Sequence, residues 1–315
     1  MEVIRPFVKW AGGKSGLISQ LKDFYPFDLE NGKIEKYVEP FVGGGAVLID
    51  VLQKYEVKEA YAFDINEDLI NCYNVIKNNI EQLIQELYKK EKEYKKLEMD
   101  ERNIYFYDIR KEYNSYKLEK EINIKRASEF IFLNKTCFNG LYRVNKSGKF
   151  NVPCGKYKNP TICDSKNLRN LSKLIQNVTF LYDDYKRSNR YVDNKTFVYF
   201  DPPYRPISVT SGFTSYTKED FNEEAQKELA RYYNELNTKN ARLMLSNSNP
   251  KNTNQKDDFF EENYKGFNIN EVYAKRMINS NSKKRGEISE LLITNYNETI
   301  KYIQEKSTMK ILDLN

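Results

Sequence analysis

Apolar positions near the start of the chain alternate between strand-like and helix-like spacing. The segment KYVEPF at 36–41 predicts a strand, and three consecutive glycines at 43–45 predict a turn. Residues 46–55 place apolar side chains three and four positions apart, which predicts an amphipathic helix. A second strand is predicted over 59–65, with the acidic residue Asp64 near its end. Together these segments predict a βαβ unit and an α/β fold.

The middle of the chain has a different pattern. Residues from about 67 to 130 are helical in pattern and highly charged, and Gly140 is the first glycine after them. Strand-like segments return at 178–184, 196–204, 243–250 and 290–296. We therefore predict a Rossmann-like sheet domain made of residues 1–75 and 178–315. A helical and loop-rich insert at 76–177 would divide that domain into two stretches of chain.

Composition removes several classes of enzyme. The 315-residue chain contains no histidine, which excludes Ser-His-Asp hydrolysis, Cys-His proteolysis and HExxH zinc chemistry. Its four cysteines form no CxxC pair, so we expect reduced thiols in a cytoplasmic protein and no metal site. No apolar run approaches the roughly 20 residues that a membrane-spanning helix needs, and the N-terminus has no signal-peptide pattern.

Positive charge is concentrated in the predicted insert. Between Phe132 and Arg169 there are eight basic residues and one acid, a net charge of +7, against +6 for the whole chain. A second segment, Lys275–Gly286, has five basic residues and no acid. A basic run is often only a solvated surface, but in the segment from Phe132 to Arg169 aromatic residues are interleaved with the basic ones. This mixture favours nucleic-acid binding by the insert.

Two glycine-rich segments indicate a ligand site. Gly43–Gly45 separates a strand from a helix, where a ligand can approach the backbone, and Asp64 follows 19 residues later at the end of the next strand. An acid at that position accepts ribose hydroxyls in nucleoside-binding folds. The spacing fits a nucleoside without a pyrophosphate better than NAD, because Leu48 replaces the third glycine; a purely structural turn is the alternative.

The second segment is KWAGGK at 9–14, which lacks the first glycine of a phosphate-binding loop, since Val8 stands there. We expect a tight turn over a ligand with Trp10 as an aromatic wall. The alternative is a buried tryptophan beside an ordinary loop.

The segment DPPY at 201–204 carries the chemistry. Pro202 and Pro203 cannot continue a central strand, so the chain must leave the sheet at its carboxyl edge, where α/β folds bind ligands. Methyl transfer to an adenine amine needs acceptors for both amine protons, because the nitrogen lone pair is delocalised into the ring. The Asp201 carboxylate and the Pro202 carbonyl can supply them, and Tyr204 offers a stacking face. An ordinary turn is the alternative.

The order of these motifs resembles a known family. KWAGGK, VEPFVGGG, FNGLYRVNKSGKFNVPCG and DPPY follow one another as in the Dam-type (D12 class, α-group) DNA adenine methyltransferases, over nearly the whole chain. The resemblance implies an S-adenosylmethionine-dependent methyltransferase sheet with an inserted DNA-recognition domain. It implies cofactor contacts from Trp10, Lys14, Glu39, Phe41, Gly43, Gly45, Asp64, Asp184 and Asp201, with Asp183 as the alternative to Asp184. It implies DNA contacts from Lys135, Asn139, Leu141, Tyr142, Arg143, Asn145, Lys146 and Lys149, and catalysis by Asp201, Pro202, Pro203 and Tyr204.

The resemblance also implies the reaction. A methyl group would pass from S-adenosylmethionine to N6 of an adenine flipped out of duplex DNA, without a metal, with GATC as the expected target. Three alternatives stay open: a longer target containing GAT, transfer to cytosine N4 or to RNA, and a DNA-binding regulator of the same fold without activity. We expect a monomer, with a restriction endonuclease that shares its site as an optional functional partner.

Overall fold

A mostly parallel β-sheet forms the centre of the protein, seen in a computed structural model that describes residues 3–118, 122–205, 221–274 and 288–297. Within these residues the sheet has seven strands: β1 Lys36–Glu39, β2 Glu59–Asp64, β3 Val178–Tyr182, β4 Thr196–Phe200, β5 Arg242–Ser248, β6 Asn268–Ala274 and β7 Ile288–Thr294. The basic segment Lys275–Gly286 lies outside the described residues.

The order of the strands creates a crevice. They are arranged β3-β2-β1-β4-β5-β7-β6, with β1 to β5 parallel and β7 antiparallel to both of its neighbours. From β1 the chain builds outward through β2 and β3, and then returns to add β4 on the other side of β1. The connections leaving β1 and β4 therefore diverge to opposite sides, which is the position where open α/β sheets bind ligands.

Helices cover both faces of this sheet. They are α1 Ile18–Leu21, α2 Phe27–Glu30, α3 Ala46–Lys54, α4 Glu67–Asn78, α5 Ile80–Lys96, α6 Met99–Tyr113, α7 Ile124–Thr136, α8 Ser165–Leu174, α9 Glu223–Asn237 and α10 Phe259–Asn263. Local sequence explains where several of them begin. Asn66 caps α4 by accepting from Leu69 N at 3.0 Å, and Asn123 and Asn222 cap α7 and α9 in the same way.

Alternation along the strands divides the core into two layers. In β4, Phe197 and Tyr199 pack on the side of α3, α4 and the helical insert, whereas Val198 and Phe200 pack on the side of α9 and α10. All residues of β4 are buried, as expected for a central parallel strand that is covered on both faces. The site at its carboxyl end therefore rests on a rigid element.

The helical insert shares the first of these layers. Leu87 of α5 and Phe132 of α7 belong to the same hydrophobic cluster as Leu48 of α3. A buried ion pair adds a polar link, because the Arg126 guanidinium binds both carboxylate oxygens of Asp68 in α4, at 2.7 and 2.9 Å. The core therefore continues from the sheet into the insert, and the domain boundaries at 76 and 177 stay a prediction.

The structure confirms the predicted fold class. The strands expected at 36–41, 59–65, 178–184, 196–204, 243–250 and 290–296 are all present, with ends that differ by a few residues. The strand β1 ends at Glu39 and β4 ends at Phe200, each just before or near a proline. Strand β6 and helix α9 were not predicted. In the described ranges, no helix has the length and apolar character needed to cross a membrane.

Candidate active site

The candidate site lies where the carboxyl ends of β1 and β4 meet. These two strands pair in parallel, with Val38 opposite Val198, so the segment that begins at Glu39 runs beside the segment that begins at Asp201. The glycine-rich turn and DPPY, which are separated by about 160 positions in the sequence, are therefore neighbours in space. This arrangement agrees with the ligand site expected at the carboxyl edge.

The glycine-rich turn is held in a conformation that favours glycine. Gly43 has φ 47° and Gly45 has φ 69°, both in the left-handed region. A Cβ on Gly43 would lie 2.8 Å from the Trp10 ring, and one on Gly45 would lie 2.5 Å from Tyr73 Oη. Tyr73 Oη donates to the Gly43 carbonyl at 2.9 Å. The turn is thus enclosed by two aromatic side chains that leave no room for a larger residue.

Asp64 connects this turn to β2. Its carboxylate accepts from Gly43 N at 3.0 Å and from Asn66 N at 2.8 Å. Burial raises the pKa of Asp64 to about 6, although these backbone donors favour the ionised form. The predicted ribose acceptor therefore lies at the end of β2, the strand next to β1, and is hydrogen-bonded to the turn.

Glu39 is the most enclosed acid of the site. Its side chain is buried, and Tyr37 Oη donates to Glu39 Oε2 at 2.7 Å. Burial raises the pKa of Glu39 well above its usual value, and the nearby Asp201 carboxylate raises it further. The site therefore holds three carboxyl groups, of Glu39, Asp64 and Asp201, within a region of low polarity.

Lys14 and Asp201 form an ion pair across the crevice. Lys14 Nζ lies 2.6 Å from Asp201 Oδ1 and also donates to the Gly12 carbonyl at 2.7 Å. Only 3% of the lysine side chain is exposed, against 20% for the aspartate. Burial raises the pKa of Asp201 to about 6, and Lys14 opposes this rise by favouring the carboxylate. The KWAGGK turn thus holds one oxygen of the catalytic acid predicted from DPPY.

The DPPY backbone is held by a chain of buried amides. Gln226 Nε2 in α9 donates to the Pro203 carbonyl at 2.8 Å, and Asn247 Nδ2 in β5 donates to Gln226 Oε1 at 3.1 Å. Asn247 Oδ1 then accepts from Arg205 N at 3.1 Å. Among the described residues, no hydrogen-bond donor reaches the Pro202 carbonyl. Contacts from the described residues thus anchor the loop at Asp201 and at Pro203, on either side of the Pro202 carbonyl.

Tyr204 is held at both its ring face and its hydroxyl. Lys14 Nζ lies over the ring, 4.7 Å from its centroid, and the hydroxyl donates to Glu290 Oε2 in β7. The predicted catalytic residues Asp201, Pro202, Pro203 and Tyr204 thus form one loop beside Lys14. Neither Glu290 nor Gln226 was singled out from the sequence.

Trp10 links this site to the predicted DNA-binding segment. Its ring stacks on Tyr142 with centroids 5.5 Å apart, and more distantly on Phe130 at 6.4 Å. Tyr142 is 8% exposed, so most of its surface is taken up by this packing. Its prediction as a DNA contact stays untested, and its position next to Trp10 gives it a supporting role in the wall of the site.

The remaining residues predicted to bind DNA surround a short hairpin. Val144 and Phe150 pair across it, and Asn145 Oδ1 accepts from Ser147 N and Lys149 N, both at 3.0 Å, which stabilises the turn. Leu141 is half-buried. Five predicted residues are exposed: Asn139, Arg143, Asn145, Lys146 and Lys149. The hairpin therefore presents most of the predicted polar contacts to solvent.

Three other predicted residues, Phe41, Asp184 and Lys135, have contacts of their own. Phe41 stacks on Tyr185 with centroids 5.1 Å apart, and the exposed Asp184 caps the turn after β3 by accepting from Lys186 N at 2.9 Å. Lys135 is half-buried in a cavity of about 300 Å³, which Asp164 also lines. Burial lowers the pKa of Lys135.

Comparison with known proteins identifies the family. A family model described as D12 class N6 adenine-specific DNA methyltransferase matches residues 10–278. The chain belongs to this family. The sequence-based prediction of an adenine-specific DNA methyltransferase is therefore confirmed.

Several curated relatives match the D12 chain over nearly its full length. A type II methyltransferase, M.MjaIII of Methanocaldococcus jannaschii, is 52% identical over 93% of this chain and 99% of its own. The type II methyltransferase M1.LlaDCHI of Lactococcus lactis subsp. cremoris is 37% identical over 93% and 96%. The DNA adenine methylase of Escherichia coli K12 is 33% identical over 93% and 95%.

We predict that Gly45→Ala destabilises this D12 methyltransferase. The substitution would place a Cβ 2.5 Å from Tyr73 Oη at a residue with φ 69°. The left-handed backbone and the displaced tyrosine should together lower the free energy of unfolding by about 1–3 kcal/mol, measured by chemical denaturation. Gly16→Ala, where a Cβ would meet open space, is the matched control and should change it by less than about 0.5 kcal/mol. Equal effects of the two substitutions would contradict this account of the turn.

Proposed function

We propose that the protein transfers the methyl group of S-adenosylmethionine to N6 of adenine in duplex DNA, with GATC as the target sequence. The observation that carries this proposal is the DPPY loop. Asp201 and the Pro202 carbonyl lie beside the glycine-rich turn of β1, and Lys14 and the Gln226–Asn247 pair anchor that loop. Two fixed acceptors next to a nucleoside-type site are the arrangement that methylation of an amine requires.

The residues around the turn fit the proposed cofactor. The Trp10 ring packs directly against the Gly43 backbone, so it would form an aromatic wall of the cofactor site beside the turn. Asp64 would hold the ribose hydroxyls, and Glu39 and Asp201 would face a cationic group. We place Phe41, Gly45 and Asp184, with Asp183 as its alternative, around the rest of the molecule. When bound, the cofactor supplies a methyl group activated by a sulfonium charge.

Asp201 and Pro202 would orient the amine. Asp201 Oδ1 faces Lys14, which leaves Oδ2 to accept one amine proton, while the Pro202 carbonyl accepts the other. Both bonds draw the nitrogen lone pair out of the ring and aim it at the methyl group, so positioning supplies most of the catalysis. As the N–C bond formed and the bond between the methyl carbon and the sulfonium sulfur broke, which leaves S-adenosylhomocysteine, the nitrogen would release a proton to Asp201 Oδ2.

A stacked adenine cannot reach this loop. Extracting it from the duplex costs a few kcal/mol of stacking and pairing energy, which contacts inside the site must offset. Tyr204 would stack on the flipped base. Because Lys14 covers one face of its ring, the base would use the opposite face. The low exposure of Asp201, whose side chain is 20% exposed, therefore supports base flipping.

The exposed hairpin would read the target sequence. Arg143 Nε donates to Asn151 Oδ1 at 2.8 Å, which holds the guanidinium and leaves its two terminal nitrogens for a guanine. Bidentate contact to guanine O6 and N7 contributes about 1–3 kcal/mol of discrimination. Lys146 and Lys149, on the turn, would bind phosphates, as would Lys135. The resemblance to Dam-type enzymes supports GATC, and a longer site containing GAT is the alternative.

We predict that Asp201→Asn abolishes turnover and leaves DNA binding nearly intact. The amide keeps the shape of the side chain but removes the proton acceptor and the charge that faces Lys14. Transfer of tritium from labelled S-adenosylmethionine to DNA should fall at least about 100-fold. DNA affinity, measured by fluorescence anisotropy, should change less than about threefold, since the Asp201 side chain is only 20% exposed whereas Arg143, Lys146 and Lys149 are exposed. Undiminished transfer would contradict the proposed mechanism.

We also predict an acid limb in the pH profile. Burial raises the pKa of Asp201 and of Asp64 to about 6, so both carboxyl groups become protonated, and lose their charge, as the pH falls below that value. A protonated Asp201 cannot accept the amine proton, so kcat/KM should decrease about tenfold for each pH unit below about 6. Circular dichroism at each pH separates this loss from unfolding. A flat profile down to about pH 5 would contradict the assignment.

A further inference from the structure

A carboxylate on the antiparallel end of the sheet reaches into the candidate site. Strand β7 runs antiparallel to β5, with Ser248 opposite Glu290, so the start of β7 lies at the same sheet edge as the end of β5. β5 in turn pairs with β4, which leads into DPPY. This register brings Glu290, about 90 positions away in sequence, beside Tyr204, whose hydroxyl donates to Glu290 Oε2.

The bond to Glu290 completes the constraint on the Tyr204 ring. The backbone next to the ring is held through Arg205 N, which donates to Asn247 Oδ1 at 3.1 Å. Lys14 Nζ lies over one face, 4.7 Å from the ring centroid. The ring is therefore constrained through the adjacent backbone, at one face and through its hydroxyl. Among the described residues, Lys14 is the one cationic or aromatic group that lies over this ring, so we expect a stacked ligand on the opposite face.

We propose that Glu290 is a positioning residue for methyl transfer, which holds Tyr204 by its hydroxyl so that the free face of the ring receives the flipped base. The inference rests on the proposed function and names a residue that the family motifs did not indicate. A misplacement of about 1 Å at a reacting group can cost roughly 100-fold in rate, so loss of this contact should appear in turnover.

Glu290 contributes little to the core itself. The hydrophobic residues of β7 pack on both faces of the sheet, Leu291 and Ile293 on one and Leu292 on the other, whereas Glu290 is half-buried at the start of the strand. A change at Glu290 should therefore leave the free energy of unfolding nearly unchanged. Unchanged stability together with reduced turnover would therefore distinguish a positioning role from a purely structural one.

The test compares Glu290→Ala with Glu290→Gln. The amide keeps an oxygen that can accept from Tyr204, so Glu290→Gln should retain kcat within about threefold, whereas Glu290→Ala should lose about 10- to 100-fold. The KM for S-adenosylmethionine should stay unchanged in both. Duplex DNA carrying 2-aminopurine in place of the methylated adenine reports base release by fluorescence. Its signal on binding should be reduced or altered with Glu290→Ala and preserved with Glu290→Gln.

Two further variants sharpen this test. In a Tyr204→Phe background, which lacks the hydroxyl, Glu290→Ala should cause little additional loss, because the two residues act through one bond. The matched control is Glu59→Ala, which removes another carboxylate bonded to a tyrosine, since Tyr61 Oη donates to Glu59 Oε2 at 2.7 Å. Glu59 begins β2, at the opposite edge of the sheet, so its removal should leave kcat unchanged.

The outcomes distinguish this proposal from the one on which it rests. Wild-type protein that transfers no methyl group to adenine from S-adenosylmethionine would overturn the proposed function and this inference together. With an active wild type, full activity in Glu290→Ala would overturn the inference alone. Equal losses in Glu290→Ala and Glu290→Gln would overturn it too, as would independent effects of Glu290→Ala and Tyr204→Phe.

Discussion

The ion pair between Lys14 and Asp201 is the contact on which the site depends. It joins the N-terminal turn to the end of β4 over 2.6 Å, in a crevice where 3% of the lysine is exposed. Burying two charges costs solvation energy, which is recovered only when geometry and additional hydrogen bonds are good. Here the Gly12 carbonyl accepts from the lysine and the Tyr204 ring lies beneath it. One lysine therefore orients both the acid and the aromatic ring of DPPY.

A second contact joins the crevice to the surface that would meet DNA. Trp10 packs against the Gly43 turn on one side and stacks on Tyr142, which directly precedes Arg143, on the other. A movement of the hairpin would therefore displace the glycine turn through the packed rings of Tyr142 and Trp10, since closely packed interiors transmit small displacements. The same aromatic wall would bound the proposed cofactor site and support the proposed DNA-reading element.

Local signals in the sequence predicted the fold class, six of the seven described strands and the main motifs, but neither β6 nor α9. The apolar periodicity of β1, α3 and β2 predicted the βαβ unit, and the prolines of DPPY predicted where β4 must end. Glu290 and the Gln226–Asn247 pair escaped prediction, because their roles arise from strand register and helix packing between distant segments. The packing of Tyr142 against Trp10 was not predicted for the same reason, and its role as a DNA contact stays a prediction.

The most direct test incubates the purified protein with tritiated S-adenosylmethionine and unmethylated plasmid DNA. The product is then digested with nucleases that differ in their sensitivity to adenine methylation at GATC. We expect label to accumulate in N6-methyladenine and GATC sites to become protected from the sensitive nuclease. Label in N6-methyladenine without protection of the GATC sites would show that the enzyme methylates another sequence. DNA that is bound but carries no labelled adenine would contradict the central claim.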